Sequence, residues 1–226
     1  MAGSSTADLR IVRSGPEGPD PAGEAAPRAV SPREGDPFPA FYLDLAVPEA
    51  YLAAERILTL MPAPCEWVPV VAAELPDGGW GGWASARERD EELAAIERIA
   101  AERRLQAVRW PARLPFDSGF ALRAATYAKG AGKTVAFSLA AFRQAYAGGR
   151  DLSETDNVLI AGAACEIHPR ALLQGARTRA VEASLARATA LARERGVRSV
   201  PAVWVDGEVF HGDAELERAA RAVGRL

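Results

Sequence analysis

The chain has 226 residues, 49% of them apolar and 25% charged, a length and composition that suit one globular domain with a sizeable core. Its 27 basic and 30 acidic side chains leave a net charge of -3, which gives no general attraction to nucleic acid or to an anionic membrane. No stretch reaches the roughly 20 consecutive apolar residues that a spanning helix needs, so neither nucleic acid nor membrane is expected as a partner.

In chain order, residues 1–38 are rich in Gly, Pro, Ser and Ala and hold few large apolar groups, so they are expected to form a disordered arm ahead of a domain over 39–226. The run Phe41-Tyr42-Leu43-Asp44-Leu45, bounded by Pro39 and Pro48, suits a buried strand. A helix is predicted from Pro48 to about Leu60, since a first-turn proline has no intrahelical N–H bond to lose. Trp67–Val71 reads as a second strand, which gives a β-α-β start.

The middle is helical. Ser85 is a candidate cap before a run in which Leu93, Ile96, Ile99 and Leu105 recur near helical spacing. A short segment over Ala107–Trp110 reads as extended. Ser118 is expected to cap a helix through Tyr127, Thr134–Tyr146 to form another that ends before Gly148-Gly149, and Ser153-Glu154-Thr155-Asp156 to cap a third. His168 and Pro169 open a further helix, with Gly175 as a break before a longer one that ends near Gly196. Arg supplies all the basic residues except Lys129 and Lys133, and its alternation with Glu marks solvated helix faces.

After Gly196, two β-runs flank Asp206-Gly207, the strongest hairpin signal in the chain, and Asp213 is expected to cap a closing helix. The order predicts an α/β fold: a thioredoxin-like sheet with an all-helical insertion over about 85–195.

The closing segment from Gly196 to Gly212, with Val200-Pro201-Ala202-Val203-Trp204-Val205-Asp206-Gly207 at its centre, resembles the C-terminal half of the DsbA-like thioredoxin domain. It is most similar to the branch of 2-hydroxychromene-2-carboxylate isomerases and kappa-class glutathione transferases. Phe41 to Ala53 is similar to that branch's opening strand and active-site helix. The resemblance implies a cis Val200-Pro201 bond whose backbone pairs with a peptide or glutathione, and a glutathione carboxylate met near Gly212 and Asp213. Asp213 itself is read first as a plain N-cap. The branch's Ser-Pro-x-Ser and the disulfide exchangers' Cys-Pro-x-Cys are replaced here by Val47-Pro48-Glu49-Ala50, so the family's nucleophile positions, Val47 and Ala50, hold neither thiol nor hydroxyl. Glu49 is expected to be a first-turn acid on a surface helix. Leu114-Pro115-Phe116-Asp117-Ser118 is similar to the family's Phe-Pro-x-Asn-Ser stretch beside the substrate pocket, with Asp117 lacking the amide donors of Asn.

Two readings of function stand at this point. One is a glutathione-dependent isomerase or thiol oxidoreductase by family, with the catalytic Ser or Cys absent; the other is a non-catalytic thioredoxin-fold binder of a peptide or small thiol. Glutathione is the cofactor that the resemblance implies, no metal is expected, and a homodimer is left open. A cytoplasmic place is expected, because no basic and apolar leader opens the chain and Cys65 and Cys165 form no CxxC pair. Gly130-Ala131-Gly132-Lys133-Thr134 resembles the end of a phosphate loop, but Tyr127 stands where its first glycine belongs and no strand precedes it. The loop Asp77 to Trp83 is expected to pack its two indoles, Trp80 and Trp83, on the helical block, with a lid as the alternative; His168 reads as a cap and His211 as a pocket or surface residue.

Overall fold

The computed structural model describes residues 38–225, so apart from Phe38 the arm expected before Pro39 lies outside the described residues. Strand β1 (Ala40–Leu43) is buried along its whole length, as an Ala-Phe-Tyr-Leu run must be when both its faces are covered. It pairs in parallel with β2 (Glu66–Pro69), Phe41 opposite Trp67, and antiparallel with β3 (Ala202–Val205), Phe41 opposite Val203. Strand β4 (Glu208–His211) closes a hairpin on β3, and the sheet order is β2-β1-β3-β4. Asp206 and Gly207 carry the hairpin turn with φ of 44° and 87°, the paired positive values that a twisted two-residue connection needs.

Helix α1 (Pro48–Leu60) begins on its proline as the sequence predicts and lays Tyr51, Leu52 and Ile57 into the core. Between β2 and β3 run α2 (Ala86–Glu102), α3 (Gly119–Gly130), α4 (Thr134–Tyr146), α5 (Thr155–Ala163), α6 (Pro169–Gly175) and α7 (Arg179–Glu194); α8 (Leu216–Val223) ends the fold. Phe137, Phe142 and Tyr146 of α4 are fully buried, with the Tyr146 ring stacked on Tyr51 of α1 at 5.6 Å and its hydroxyl donating to the Leu45 carbonyl at 3.1 Å. The helical insertion and the sheet thus share one core. Gly175 ends α6 where the Tyr127 ring approaches so closely that a Cβ would lie 2.1 Å from it, which excludes any larger residue unless the ring moves. Among the described residues, no helix is long and apolar enough to cross a membrane.

Four local expectations need correction. Ala107–Trp110 forms no strand, because the Arg109 N–H donates to the Tyr146 carbonyl (2.8 Å) instead of to a strand neighbour. Ser118 holds the N-cap position of α3, its carbonyl accepting the Leu122 N–H, but its hydroxyl donates to Asp44 instead of capping the helix. In Ser153–Asp156 no side chain caps α5, whose N-cap position is Glu154; the Asp151 carboxylate accepts the Ser153 N–H instead. Asp213 opens a short 3-10 turn, Asp213–Glu215, behind Gly212, and its carboxylate makes ion pairs with Arg56 and Arg103.

Candidate functional site

The chain leaves β1 through Asp44, a residue the sequence reading passed over. Its carboxylate is 4% exposed and accepts three hydrogen bonds: Ala46 N–H (2.9 Å) and Ser118 O–H (2.7 Å) on Oδ1, and Ala72 N–H (2.9 Å) on Oδ2. One side chain therefore pins the end of β1, the segment after β2 and the start of α3. Burial pushes its pKa up, against the pull of those three donors and with a further push from the Asp117 carboxylate.

Above this pin lies a cavity of about 250 Å³, with Asp44, Val47, Trp80, Phe116, Asp117 and Ser118 in its walls. Val47 and Asp117, 70 residues apart in sequence number, are thus brought to one place. Val47 is the N-cap of α1; its N–H donates to the Asp44 carbonyl (3.2 Å) and its carbonyl accepts the Ala50 N–H (3.0 Å). Pro48 and Ala50 are buried in the first turn and line no part of the cavity. Asp117 is exposed at the margin, its Oδ1 accepting the Gly119 N–H at 2.7 Å.

Val200, Pro201, Gly212 and Asp213 form a separate group that does not line this cavity. The Val200–Pro201 bond is cis, as is Leu114–Pro115, and the Pro201 carbonyl accepts the Gly212 N–H at 2.7 Å. Glu49 is not the surface acid expected. It is half-buried and reaches across to accept the Asp213 N–H on Oε1 at 2.9 Å, with burial pushing its pKa up. The N–H that the family resemblance assigns to a glutathione carboxylate is thus occupied by a carboxylate of the chain itself, and Asp213 adds a second negative group beside it.

Neither cysteine is near Val47 in the cavity walls. Cys65, a free thiol, lines another hollow of about 380 Å³ with Ile57, Met61 and Trp67, and burial, with the neighbouring Glu66, pushes its pKa up to about 12. Cys165 is also free, with a thiol raised by burial. The loop indoles pack on α2: Trp80 donates to Glu92 Oε1 (2.6 Å) and Trp83 to Glu92 Oε2, with the two rings edge to face at 4.8 Å. His168 caps α6 by accepting the Arg170 N–H on Nδ1, and His211 accepts the Arg198 N–H on Nε2, its pKa lowered by partial burial and by the Arg198 charge against the pull of Asp77. Lys133 donates to the Cys165 carbonyl (2.8 Å), and the segment before Gly130 is helix α3, so the glycine-lysine run is not built as a phosphate loop. A larger hollow of about 610 Å³ between α3 and α7 is lined by no residue of α1.

A model of the DSBA-like thioredoxin domain matches residues 66–224. The chain belongs to this family. As a DsbA-like protein, it is similar to the 2-hydroxychromene-2-carboxylate isomerase of Sphingobium xenophagum, with 24% identity over 181 residues that cover 78% of this chain and 93% of that one. A solved 2-hydroxychromene-2-carboxylate isomerase superposes with a TM-score of 0.73 at 19% identity, over 84% of this chain and 95% of the other. The cytosolic disulfide reductase DsbM from Pseudomonas aeruginosa does so with a TM-score of 0.57 at 16% identity, over 84% and 96%. These likenesses establish the DsbA-like thioredoxin fold. The matched span begins at β2, so Val47-Pro48-Glu49-Ala50 lies before it.

Proposed function

We propose that this DsbA-like protein binds a small molecule with an apolar body in the cavity at the start of α1 and performs no thiol–disulfide exchange there. The observation that carries the reading is Val47, an apolar side chain in the cavity wall at the helix start, where exchange would need a thiolate. The nearest alternative nucleophile on the wall, the Ser118 hydroxyl, already donates to Asp44. Cys65 offers little: with a pKa of about 12 its thiolate fraction at neutral pH is about one part in 10⁵. A cytoplasmic place belongs to the same proposal, since two unpaired thiols suit a reducing compartment and DsbM, a cytosolic protein, shares the fold.

A second reading, a glutathione-dependent isomerase, is favoured by the name of the Sphingobium relative and by its coverage of almost the whole of that protein. Its carboxylate seat fits poorly, because Glu49 holds the Asp213 N–H. Insulin reduction and a glutathione titration followed by heteronuclear NMR separate the readings. No reduction above the buffer rate is expected, with glutathione shifting neither Val200 nor Gly212. Protein-dependent insulin reduction would overturn the first reading; saturable shifts at Val200 and Gly212 would replace it with the second.

A further inference from the structure

The cavity at the start of α1 has a charge that bears on what it can hold. Asp44 and Asp117 line it, and none of its lining residues is Lys, Arg or His. Asp44 is buried with both oxygens held by three protein donors, so the exposed Asp117 is the acid that faces a ligand at the mouth. One oxygen of Asp117 accepts the Gly119 N–H; the other has no hydrogen bond among the described residues. Arg123, one turn into α3, lies over the Phe120 ring at 6.0 Å with Nη1 3.8 Å from where a Gly119 Cβ would stand; it neighbours Asp117 but makes no ion pair with it among the described residues.

Trp80, the indole that lines the cavity, has the same polarity, and Trp83 and Trp110 pack behind it. The Trp80 N–H donates to Glu92, and a carboxylate bonded to an indole N–H pushes electron density into the ring, which strengthens the attraction of its face for a cation. Trp83, edge on to Trp80, is held by the other oxygen of Glu92, and Trp110, stacked on Trp80 with its centroid at 6.3 Å, donates to Glu97. The opposing influence is the positive end of α1. It is countered at close range: the Ala46 N–H is held by Asp44, the Val47 N–H by the Asp44 carbonyl, Pro48 has no N–H, and Glu49 stands in the first turn.

We propose that the cavity takes a small organic cation, an alkylammonium or quaternary ammonium group seated against Trp80 with Asp117 at the mouth. The inference rests on the reading that this cavity is a ligand site and names the class of its ligand. An anionic carboxylate of the same shape meets Asp117 and an electron-rich ring, and is rejected.

Three probes of nearly one shape and different charge test this on the full chain: choline, 3,3-dimethylbutan-1-ol and 3,3-dimethylbutanoate, titrated at pH 7 and low salt by NMR at the Trp80 indole and Ser118. Choline is expected to bind at least fivefold tighter than the alcohol, and the alcohol tighter than the carboxylate. In Asp117→Asn, which keeps an acceptor for the Gly119 N–H, the advantage of choline over the alcohol is expected to fall below twofold. Equal binding of choline and the alcohol overturns the charge assignment and leaves the cavity standing as a ligand site. Tighter binding of the carboxylate overturns it in the other direction. If none of the three shifts those resonances, the cavity is no ligand site and the reading beneath the inference falls with it. Trp80→Leu supplies a separate check: choline should weaken more than the alcohol, and an equal loss of both would remove the ring from the argument.

Discussion

At Asp44, near-complete burial and three hydrogen-bond donors act in opposite directions on one carboxyl group, and burial dominates. An acid whose pKa is higher folded than unfolded contributes stability that is fully present below its unfolded value, about 3.9, and is lost as pH rises through the folded value. In Asp44→Asn an amide donor is left facing a backbone or hydroxyl donor, at a cost of about 2 kcal/mol. The gap in urea stability between the wild type and Asp44→Asn is therefore expected to be widest near pH 4 and to narrow as pH rises; a gap that widens would show that the ionised form is the favoured one. His211 has the opposite sign. Its Nε2 must be unprotonated to accept the Arg198 N–H, so its contribution is present above about pH 6.5 and is lost as pH falls through its lowered pKa. A His211→Gln variant, compared with the wild type between pH 7 and 5, should lack that loss.

At the scale of elements, the start of α1 has no thiol, and its positive end is already countered by Asp44 and Glu49. Val47→Cys is therefore expected to give a thiol no more acidic than the ordinary value of about 8.5, alkylated by iodoacetamide at pH 7.5 no faster than free cysteine, read by peptide mass mapping. Labelling at position 47 well ahead of free cysteine would mean that the helix start still stabilises a thiolate. The loop before α2 depends on Gly81, at φ +104° with the Pro115 ring 2.9 Å from where a Cβ would stand. Gly81→Ala should lower stability by about 1–3 kcal/mol and shift the Trp80 indole resonance. Elements with strong local punctuation were legible in the sequence: Pro48 marks the start of α1, Gly148-Gly149 follows the end of α4, and Asp206-Gly207 turns the hairpin. Segments whose donors are taken by distant partners were not. Ala107–Trp110 has extended residues but hands the Arg109 N–H to Tyr146, and Ser118 has a capping side chain that a buried acid attracts from 74 positions away.

Across the whole molecule, Asp213 joins parts of the fold that the chain keeps far apart. Its carboxylate meets Arg56 on α1 and Arg103 at the end of α2, and its N–H meets Glu49. The arginine side chains are 20% and 24% exposed, so solvent screens part of their charge. Asp213→Ala nonetheless leaves two guanidinium groups without a carboxylate between them, and a loss of about 3 kcal/mol in chemical denaturation is expected. A loss below about 1 kcal/mol would show that the ion pairs contribute little. The candidate site was legible in part, through Val47 and Asp117, because a family likeness pointed to short motifs around each. The roles of Glu49 and Asp213 were hidden because each residue has an ordinary local reading, an acid in a first turn and a cap before a helix, and only the tertiary fold brings them together.

Strand β1 lies at the middle of the sheet, with β2 on one side and β3 on the other, and residues 44–201 are made between β1 and β3. During synthesis at 5–20 residues per second, that interval lasts roughly 8–30 s, in which one edge of a wholly apolar strand has no native neighbour. The nascent chain must carry this open edge until its last strands arrive, so a ribosome stalled within α7 holds a polypeptide with every helix through α6 synthesised and only two strands of the sheet. The demand for a holding chaperone is set by the position of β3 in the gene, and a circular permutant that begins at β3 and joins the old ends would remove most of it.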